Sequence, residues 1–227
     1  MNRKRLITVI VLNSLNVFLI ILGLIFSLTD FTFMGGEGRL TPQQTNLFSL
    51  FTVDSNLLLC IFSGIILVYQ IMVLVKKRED IPYFAYILKF IGTVGTTLTL
   101  LTVIFYLSPI LGSNWWMLFT NTNLFYHLVC PVIGIVSFLF FENDFELSLK
   151  KCFIGVIPML IYSSYYIINA YSHLDENGKI KEGYDVYGFA SHGIPASIIA
   201  SVMMVASTLL IAFLLLLINQ KNGHKKN

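Results

Sequence analysis

The sequence is poor in charge. Only 12% of its 227 residues are Asp, Glu, Lys or Arg, whereas 56% are hydrophobic, and an ordinary soluble domain carries about 25% charged residues. Too little polar surface remains to cover a water-soluble globule, which excludes that class. The net charge of +3 does not indicate a nucleic-acid partner, because the basic residues stand in short clusters beside apolar runs.

Cysteines and catalytic signatures are also scarce. Cys60, Cys130 and Cys152 all lie in or at the edge of apolar runs, which favours buried free thiols over disulfides. The sequence has no glycine-rich phosphate loop, no paired-histidine motif and no cysteine pair at zinc spacing. We therefore expect neither a cofactor nor a metal site.

Long apolar runs make up most of the chain. A helix of roughly 20 residues crosses the hydrocarbon core of a bilayer, and six runs of that length are joined by short polar segments. The predicted fold class is an all-α integral membrane protein, a bundle of six transmembrane helices in a single domain over 1–227. We expect a multi-pass protein of the cell membrane with membrane lipids as partners. The predicted helices cover residues 6–28, 47–75, 82–107, 115–141, 152–171 and 194–218.

Lysine and arginine indicate the orientation of this bundle, because cytoplasmic loops retain an excess of them near helix ends. With the N-terminus inside, eleven fall on the inner side and three on the outer side. Both termini are therefore predicted to be cytoplasmic. The inner set is Arg3, Lys4, Arg5, Lys76, Lys77, Arg78, Lys150, Lys151, Lys221, Lys225 and Lys226. The outer set is Arg39, Lys179 and Lys181.

Ionisable residues inside membrane helices are candidates for function, because such groups are costly in a bilayer. Asp54, Lys89 and His127 are the three that fall within predicted helices. Lys89 stands near the inner end of the third helix, so its long side chain is predicted to reach the cytoplasmic surface.

Asp54 belongs to a polar stretch of the second predicted helix. Thr52, Ser55 and Asn56 share one face of that helix at helical spacing. We predict that Asp54, Ser55 and Asn56 help to bind a substrate. Hydrogen bonding between helices without any chemistry is the alternative role for these residues.

The fourth predicted helix carries a matching polar face, with Asn123 and His127 four residues apart. At about 1.5 Å of rise per residue, Asn123 comes to the same depth as Asp54 in the outer half of the bilayer, and His127 lies nearer the middle. Asn123 is therefore added to the predicted substrate-binding residues. A polar cluster open to the outer face is expected.

Two stretches in these helices resemble a known family. The run 51–58, Phe-Thr-Val-Asp-Ser-Asn-Leu-Leu, resembles the Phe-Thr-x-x-Ser-Asn-Leu-Leu stretch of bacterial Pr6Pr-like membrane proteins, which look like relatives of the androgen-induced, FAR-17a type family. The second stretch is 123–127, Asn-Leu-Phe-Tyr-His, followed by Pro131. The animal branch contains membrane hydrolases that cleave fatty acid esters of hydroxy fatty acids with a Thr nucleophile and a His. By position, the resemblance implies that Thr52 and His127 are the catalytic residues.

Two functions of different classes follow. The first is a membrane-embedded hydrolase of lipid esters, in which Thr52 attacks the carbonyl after His127 takes its proton. Asn56 or Asn123 would donate hydrogen bonds to the oxyanion, and Asp54 would orient the imidazole.

The second function is non-catalytic. It is the binding, sensing or transport of a lipid or small molecule through an outward-facing polar cavity. Six helices without an internal repeat are few for a transporter. A homodimer would supply the second half.

Overall fold

Helices make up nearly all of the regular structure. The computed structural model describes residues 2–29, 31–34, 44–144 and 146–224. In these ranges the only pairing of extended backbone is one antiparallel bridge between Leu174 and Ile180. Six helices are long and apolar enough to cross a membrane, which confirms the predicted six-helix, all-α fold class. Arg39, Lys225 and Lys226, used above to predict orientation, lie outside the described residues.

The six long helices are numbered in chain order. They are α1 (Arg3–Thr29), α2 (Phe51–Leu74), α3 (Tyr83–Phe119), α4 (Thr122–Phe141), α5 (Leu149–Ser172) and α6 (Ile194–His224). A 3-10 turn, Gln44–Ser49, precedes α2.

The helix α3 lies at the centre of the bundle. It packs closely against α2 and also contacts α4, α5 and α6. In its most apolar stretch 61% of the residues are buried, against 28% in each of α1, α2 and α6. Small residues explain this position: a Cβ added at Gly92 would lie 2.8 Å from the Leu59 Cα of α2. The backbones of α2 and α3 can approach so closely only because Gly92 has no side chain.

The start of α1 and the end of α6 lie at the same end of the bundle. Near the start of α1, the Arg5 Nε donates to the carbonyl oxygen of Phe141 at 3.0 Å, and Arg5 pairs with Asp144 at 2.6 Å. Near the end of α6, the Asn219 amide donates to the carbonyl oxygen of Phe138 at 2.6 Å. We call this the termini end. The opposite end, which carries residues 31–34, 44–50, 108–121 and 173–193, is the loop end.

Three turns in the described part of the bundle are π-helical. They are Val103–Leu107 in α3 and Phe125–Val129 and Ser137–Phe141 in α4. The last of them is closed by the Glu142 amide, which donates to the carbonyl oxygen of Ser137 at 2.9 Å. Such turns often occur at functional sites, because the wider turn redirects the side chains around it.

The boundary between α3 and α4 differs from the one that the sequence predicts. The third helix was expected to end at 107 and the fourth to start at 115, but residues Gly112–Phe119 form a 3-10 turn that continues α3. The chain reverses at Asn121, whose φ is +52°. The Asn121 side-chain oxygen accepts hydrogen bonds from the Phe33 and Met34 amides at 3.0 and 2.8 Å, so a segment distant in sequence fixes this turn.

Candidate functional site

A cavity of about 550 Å³ lies toward the loop end, between α2, α3, α5 and α6. Pockets for small molecules typically measure about 300–1,000 Å³, so the volume suits a ligand of that class. Its wall is largely apolar, and the described residues that line it include no Asp, Glu, Lys, Arg or His. Ser and Thr hydroxyls supply part of its polarity; they belong to Thr52, Thr99, Thr102, Ser163, Ser201 and Ser207.

The cavity opens sideways, through the face of the bundle that a membrane would cover. Phe105 of α3 and Met203 and Leu210 of α6 line the cavity. The same three side chains are 74%, 63% and 59% exposed on the outside of the bundle. Because Met203 and Leu210 are in the middle of a membrane-length helix, the mouth between α3 and α6 is on the face that a membrane would cover.

The segment between α5 and α6 covers the loop end of this cavity. Tyr187 and Phe189 of this segment line the cavity wall. The Phe51 amide at the start of α2 donates to the Tyr187 hydroxyl at 3.0 Å. The Tyr171 hydroxyl donates to the carbonyl oxygen of Ala190 at 2.9 Å. These bonds hold the segment against both α2 and α5.

Asp185 anchors the same segment. Its carboxylate accepts hydrogen bonds from the Tyr166 hydroxyl, from the Ala190 amide at 3.2 Å and from the Ser191 amide at 2.7 Å. Burial alone would raise the pKa of Asp185, but the hydrogen bonds from Ser191 and Tyr166 hold it below its ordinary value of 3.8. The carboxylate is therefore ionised at neutral pH.

Thr52 lies on the cavity wall near the start of α2. Its carbonyl oxygen accepts hydrogen bonds from the Ser55 hydroxyl at 3.1 Å and the Asn56 amide at 2.8 Å. The Ser55 hydroxyl also lies 3.1 Å from that of Thr99, which joins α2 to α3. Three of the predicted residues are thus together. Asp54, the fourth in this stretch, is half-buried.

His127 lies on a π-helical turn of α4 and is not among the residues that line the cavity. Its Nδ1 is 2.6 Å from the carbonyl oxygen of Leu118. Because a carbonyl only accepts, Nδ1 carries the hydrogen and Nε2 has the free lone pair in the neutral ring. Asn56 also donates to the carbonyl oxygen of Tyr126 at 3.0 Å, which joins α2 to α4 beside His127. Asn123 is buried in α4.

The structure thus joins α2 to α4 through the hydrogen bond from Asn56 to the Tyr126 backbone carbonyl. It gives Thr52 access to the cavity and leaves the imidazole of His127 outside the cavity wall. The catalytic pairing of Thr52 with His127 stays a prediction.

A second polar cluster lies nearer the termini end, and it includes Lys89. The prediction that Lys89 reaches the cytoplasmic surface is wrong, because its side chain is 0% exposed. Its Nζ instead donates to Asn13 Oδ1 of α1 at 2.6 Å and to Ser63 Oγ of α2 at 2.8 Å. Polar partners on neighbouring helices replace the water that the side chain would otherwise seek.

Glu142 is the negative group of this cluster, and it directly follows the predicted fourth helix, 115–141. It is 2% exposed, and its Oε1 accepts from Asn13 Nδ2 at 2.7 Å and Gln70 Nε2 at 3.1 Å. The amide of Asn13 therefore bridges Lys89 to Glu142. We call the five residues Asn13, Ser63, Gln70, Lys89 and Glu142 the Lys89 network. Asn13 and Gln70 are the sequence signal that was missed, since lone amides in apolar helices usually hydrogen-bond between helices.

The described part of the chain is a multi-pass, membrane-type helical bundle with a lateral apolar cavity. In that part, no three His, Cys, Asp or Glu side chains come together as metal ligands. A family model described as a protein of unknown function (DUF1600) matches residues 120–226. No curated protein and no solved structure matches the chain.

The matched region, 120–226, runs from the start of α4 through α6. It contains His127, Glu142 and Asp185, whereas Thr52 and Lys89 precede it. The cavity and the Lys89 network therefore each combine residues from inside and outside the match.

Proposed function

We propose that this chain binds a lipid or lipid-like amphiphile that enters the cavity sideways from the bilayer. The observation that supports this proposal is the mouth between α3 and α6. There Phe105, Met203 and Leu210 are part of both the cavity wall and the outer surface of the bundle. An amphiphile dissolved in the membrane reaches such a mouth without crossing water.

The hydroxyl groups give the cavity its specificity for such a ligand. A hydrocarbon tail gains little hydrophobic free energy when it moves from lipid to an apolar cavity, because both surroundings are apolar. Affinity then depends on the fit of the tail and on hydrogen bonds to the head group. Thr52, Thr102 and Ser163 present hydroxyls on the cavity wall for that purpose.

The count of Lys and Arg near the helix ends predicts which side of the membrane the cavity faces. With both termini in the cytoplasm, the loop end and the cavity face the outside of the cell membrane. The ligand would then come from the outer leaflet.

Photocrosslinking tests this proposal. The full chain in nanodiscs is irradiated with an alkyl diazirine amphiphile, and the labelled peptides are identified by mass spectrometry. We expect saturable labelling within 103–107, 159–166 and 200–211, which unlabelled amphiphile suppresses. Ala200→Phe fills the cavity and is expected to reduce this labelling about tenfold, because it removes space that the tail needs.

Ala206→Phe is the matched control for that variant. Ala206 lies on the same helix, is exposed and is not among the cavity-lining residues. Equal loss of labelling in both variants, or unsaturable labelling spread over the lipid-facing surface of the wild type, would contradict the proposal.

Lipid-ester hydrolysis is the second candidate, and the position of Thr52 on the cavity wall favours it. In this reaction the Thr52 hydroxyl attacks the ester carbonyl, His127 Nε2 takes the hydroxyl proton, and that proton passes to the leaving alcohol. Water then hydrolyses the acyl-threonine. Membership of the FAR-17a type family belongs to the same proposal.

A fluorophosphonate lipid probe tests the hydrolase directly. We expect a hydrolase to be labelled in the wild type and to lose labelling in Thr52→Ala and His127→Ala. Thr102→Ala, which removes another cavity hydroxyl, should keep it. A folded wild-type protein that takes up no probe would eliminate hydrolysis and leave lipid binding as the function.

A further inference from the structure

Aromatic rings form a continuous wall around the loop end of the cavity. Ring centroids are 5.2 Å apart for Phe51 and Tyr162, 5.8 Å for Tyr166 and Tyr187, and 5.8 Å for Tyr187 and Phe189. A sixth ring belongs to Tyr106, whose centroid is 6.1 Å from that of Phe189. We call these six cavity-lining residues the aromatic wall; they are Phe51, Tyr106, Tyr162, Tyr166, Tyr187 and Phe189.

Two carboxylates lie behind this wall. The Asp185 carboxylate accepts the Tyr166 hydroxyl hydrogen. Asp54 is three residues after Phe51 on α2, and the Phe51 amide donates to the Tyr187 hydroxyl at 3.0 Å. Burial raises the pKa of that phenol, and the charge on Asp54 adds to the rise. No basic side chain among the described residues forms an ion pair with Asp54 or Asp185. As far as the described residues form it, the loop end of the cavity is therefore aromatic and electrically negative.

The combination of aromatic rings and carboxylates favours a positively charged ligand. The face of an aromatic ring is negative and attracts a cation within about 6 Å of its centroid. A tyrosine that donates its hydroxyl hydrogen to a carboxylate, as Tyr166 does to Asp185, has a ring that is richer in electrons. Among the described residues that line the cavity, none is basic, so a cation meets no repulsion there. An anionic head group would find no positive partner in this lining and would lie near two carboxylates.

We propose that the cavity recognises a lipophilic cation, an amine or quaternary ammonium group held against the aromatic wall with its alkyl tail in the apolar part. This inference rests on the proposed lipid-binding function and names its ligand class. The ammonium group can belong to a choline phospholipid of the bilayer or to a separate single-chain amine. Both present the same chemistry to the wall.

Three matched probes test the proposal. They share one diazirine-bearing alkyl chain and differ in the head group, which is trimethylammonium, hydroxyl or carboxylate. The full chain is placed in nanodiscs of an uncharged galactolipid, so that the membrane surface concentrates neither charged probe. We expect half-saturation of labelling by the trimethylammonium probe at a concentration about tenfold lower than by the hydroxyl probe. The carboxylate probe should label least.

Variants locate the origin of that preference. Tyr166→Leu removes a ring of the wall, and Asp54→Asn removes a charge behind it, so each should reduce the preference for the cation several-fold. Tyr166→Phe keeps the ring and should retain most of it. Tyr165→Leu is the control, because Tyr165 is 51% exposed on the same helix and does not line the cavity.

The outcomes separate the two proposals. Saturable labelling that is equal for the trimethylammonium and hydroxyl probes overturns the inference about the cation and leaves lipid binding intact. Absence of saturable labelling by all three probes overturns the proposed function itself. If Asp54→Asn and Tyr166→Leu both keep the wild-type preference for the trimethylammonium probe over the hydroxyl probe, the inference is also overturned. If the preference holds, added phosphatidylcholine that competes with the probe identifies a bilayer lipid as the source, and failure to compete identifies a single-chain amine.

Discussion

Lys89→Met is expected to lower the free energy of unfolding by about 3–5 kcal/mol, since the change leaves a buried carboxylate without its compensating cation. Lys89 and Glu142 are 0% and 2% exposed, and the Asn13 side chain bridges them. Water cannot reach Glu142 to replace the lost positive charge. The measurement is thermal and denaturant unfolding of the purified protein in detergent micelles.

A control and a second variant make this prediction specific. Lys77→Met removes an exposed charge from the loop between α2 and α3 and should leave stability almost unchanged. The double variant Lys89→Met with Glu142→Gln removes both charges and should recover more than half of the loss. If Lys89→Met is as stable as Lys77→Met, then Lys89 does not compensate the charge on Glu142.

Gly92→Ala is expected to destabilise the bundle by about 1–3 kcal/mol, because overpacking forces neighbouring elements apart. The added Cβ would lie 2.8 Å from the Leu59 Cα and 3.1 Å from its backbone nitrogen. Backbone atoms cannot rotate away as a flexible side chain can, so α2 and α3 must separate. Unfolding in the same detergent measures the effect.

Gly64→Ala is the matched control for Gly92→Ala. A Cβ at Gly64 meets no heavy atom within 4 Å. Alanine is up to about 1 kcal/mol more favourable than glycine inside a helix, so this variant should be neutral or slightly stabilising. Similar stability of the two variants would show that the close approach at Gly92 is not needed for packing.

Helix number and class could be predicted from the sequence, because apolar length alone determines whether a segment can span a bilayer. The end of α3 could not be predicted in the same way. It depends on the turn at Asn121, which the amides of Phe33 and Met34 hold from a segment almost ninety residues earlier. The residues around the predicted boundary, 107–115, do not indicate that contact.

Lys89 shows the same limit for a single side chain. Its distance from the helix end predicts that it reaches the surface, but its partners Asn13 and Ser63 belong to two other helices. The packing of three helices thus decides where its charge lies. The polar face of α2 was easier to predict, because Thr52, Ser55 and Asn56 bond within one helical turn.

The sequence predicts a polar cavity, but the position and the largely apolar lining of the observed cavity could not be predicted, since four helices form its wall. Thr52 and Tyr187 are separated by 135 positions in the sequence, yet both line it. The carboxylate of Asp185 acts through Tyr166, a residue of another element. No periodic pattern along the chain contains this arrangement.

Under the proposed lipid-binding function, the lateral mouth between α3 and α6 determines which concentration of ligand sets the occupancy of the cavity. A ligand that arrives through Phe105 and Met203 is taken from the leaflet, so occupancy follows its mole fraction among the surrounding lipids. Diluting the sample with buffer leaves that fraction unchanged for an insoluble lipid, whereas adding more of the host lipid lowers it. Titrations of this chain should therefore be plotted against membrane composition. In two cells with equal amounts of ligand but different membrane areas, the ligand would occupy the cavity to different extents.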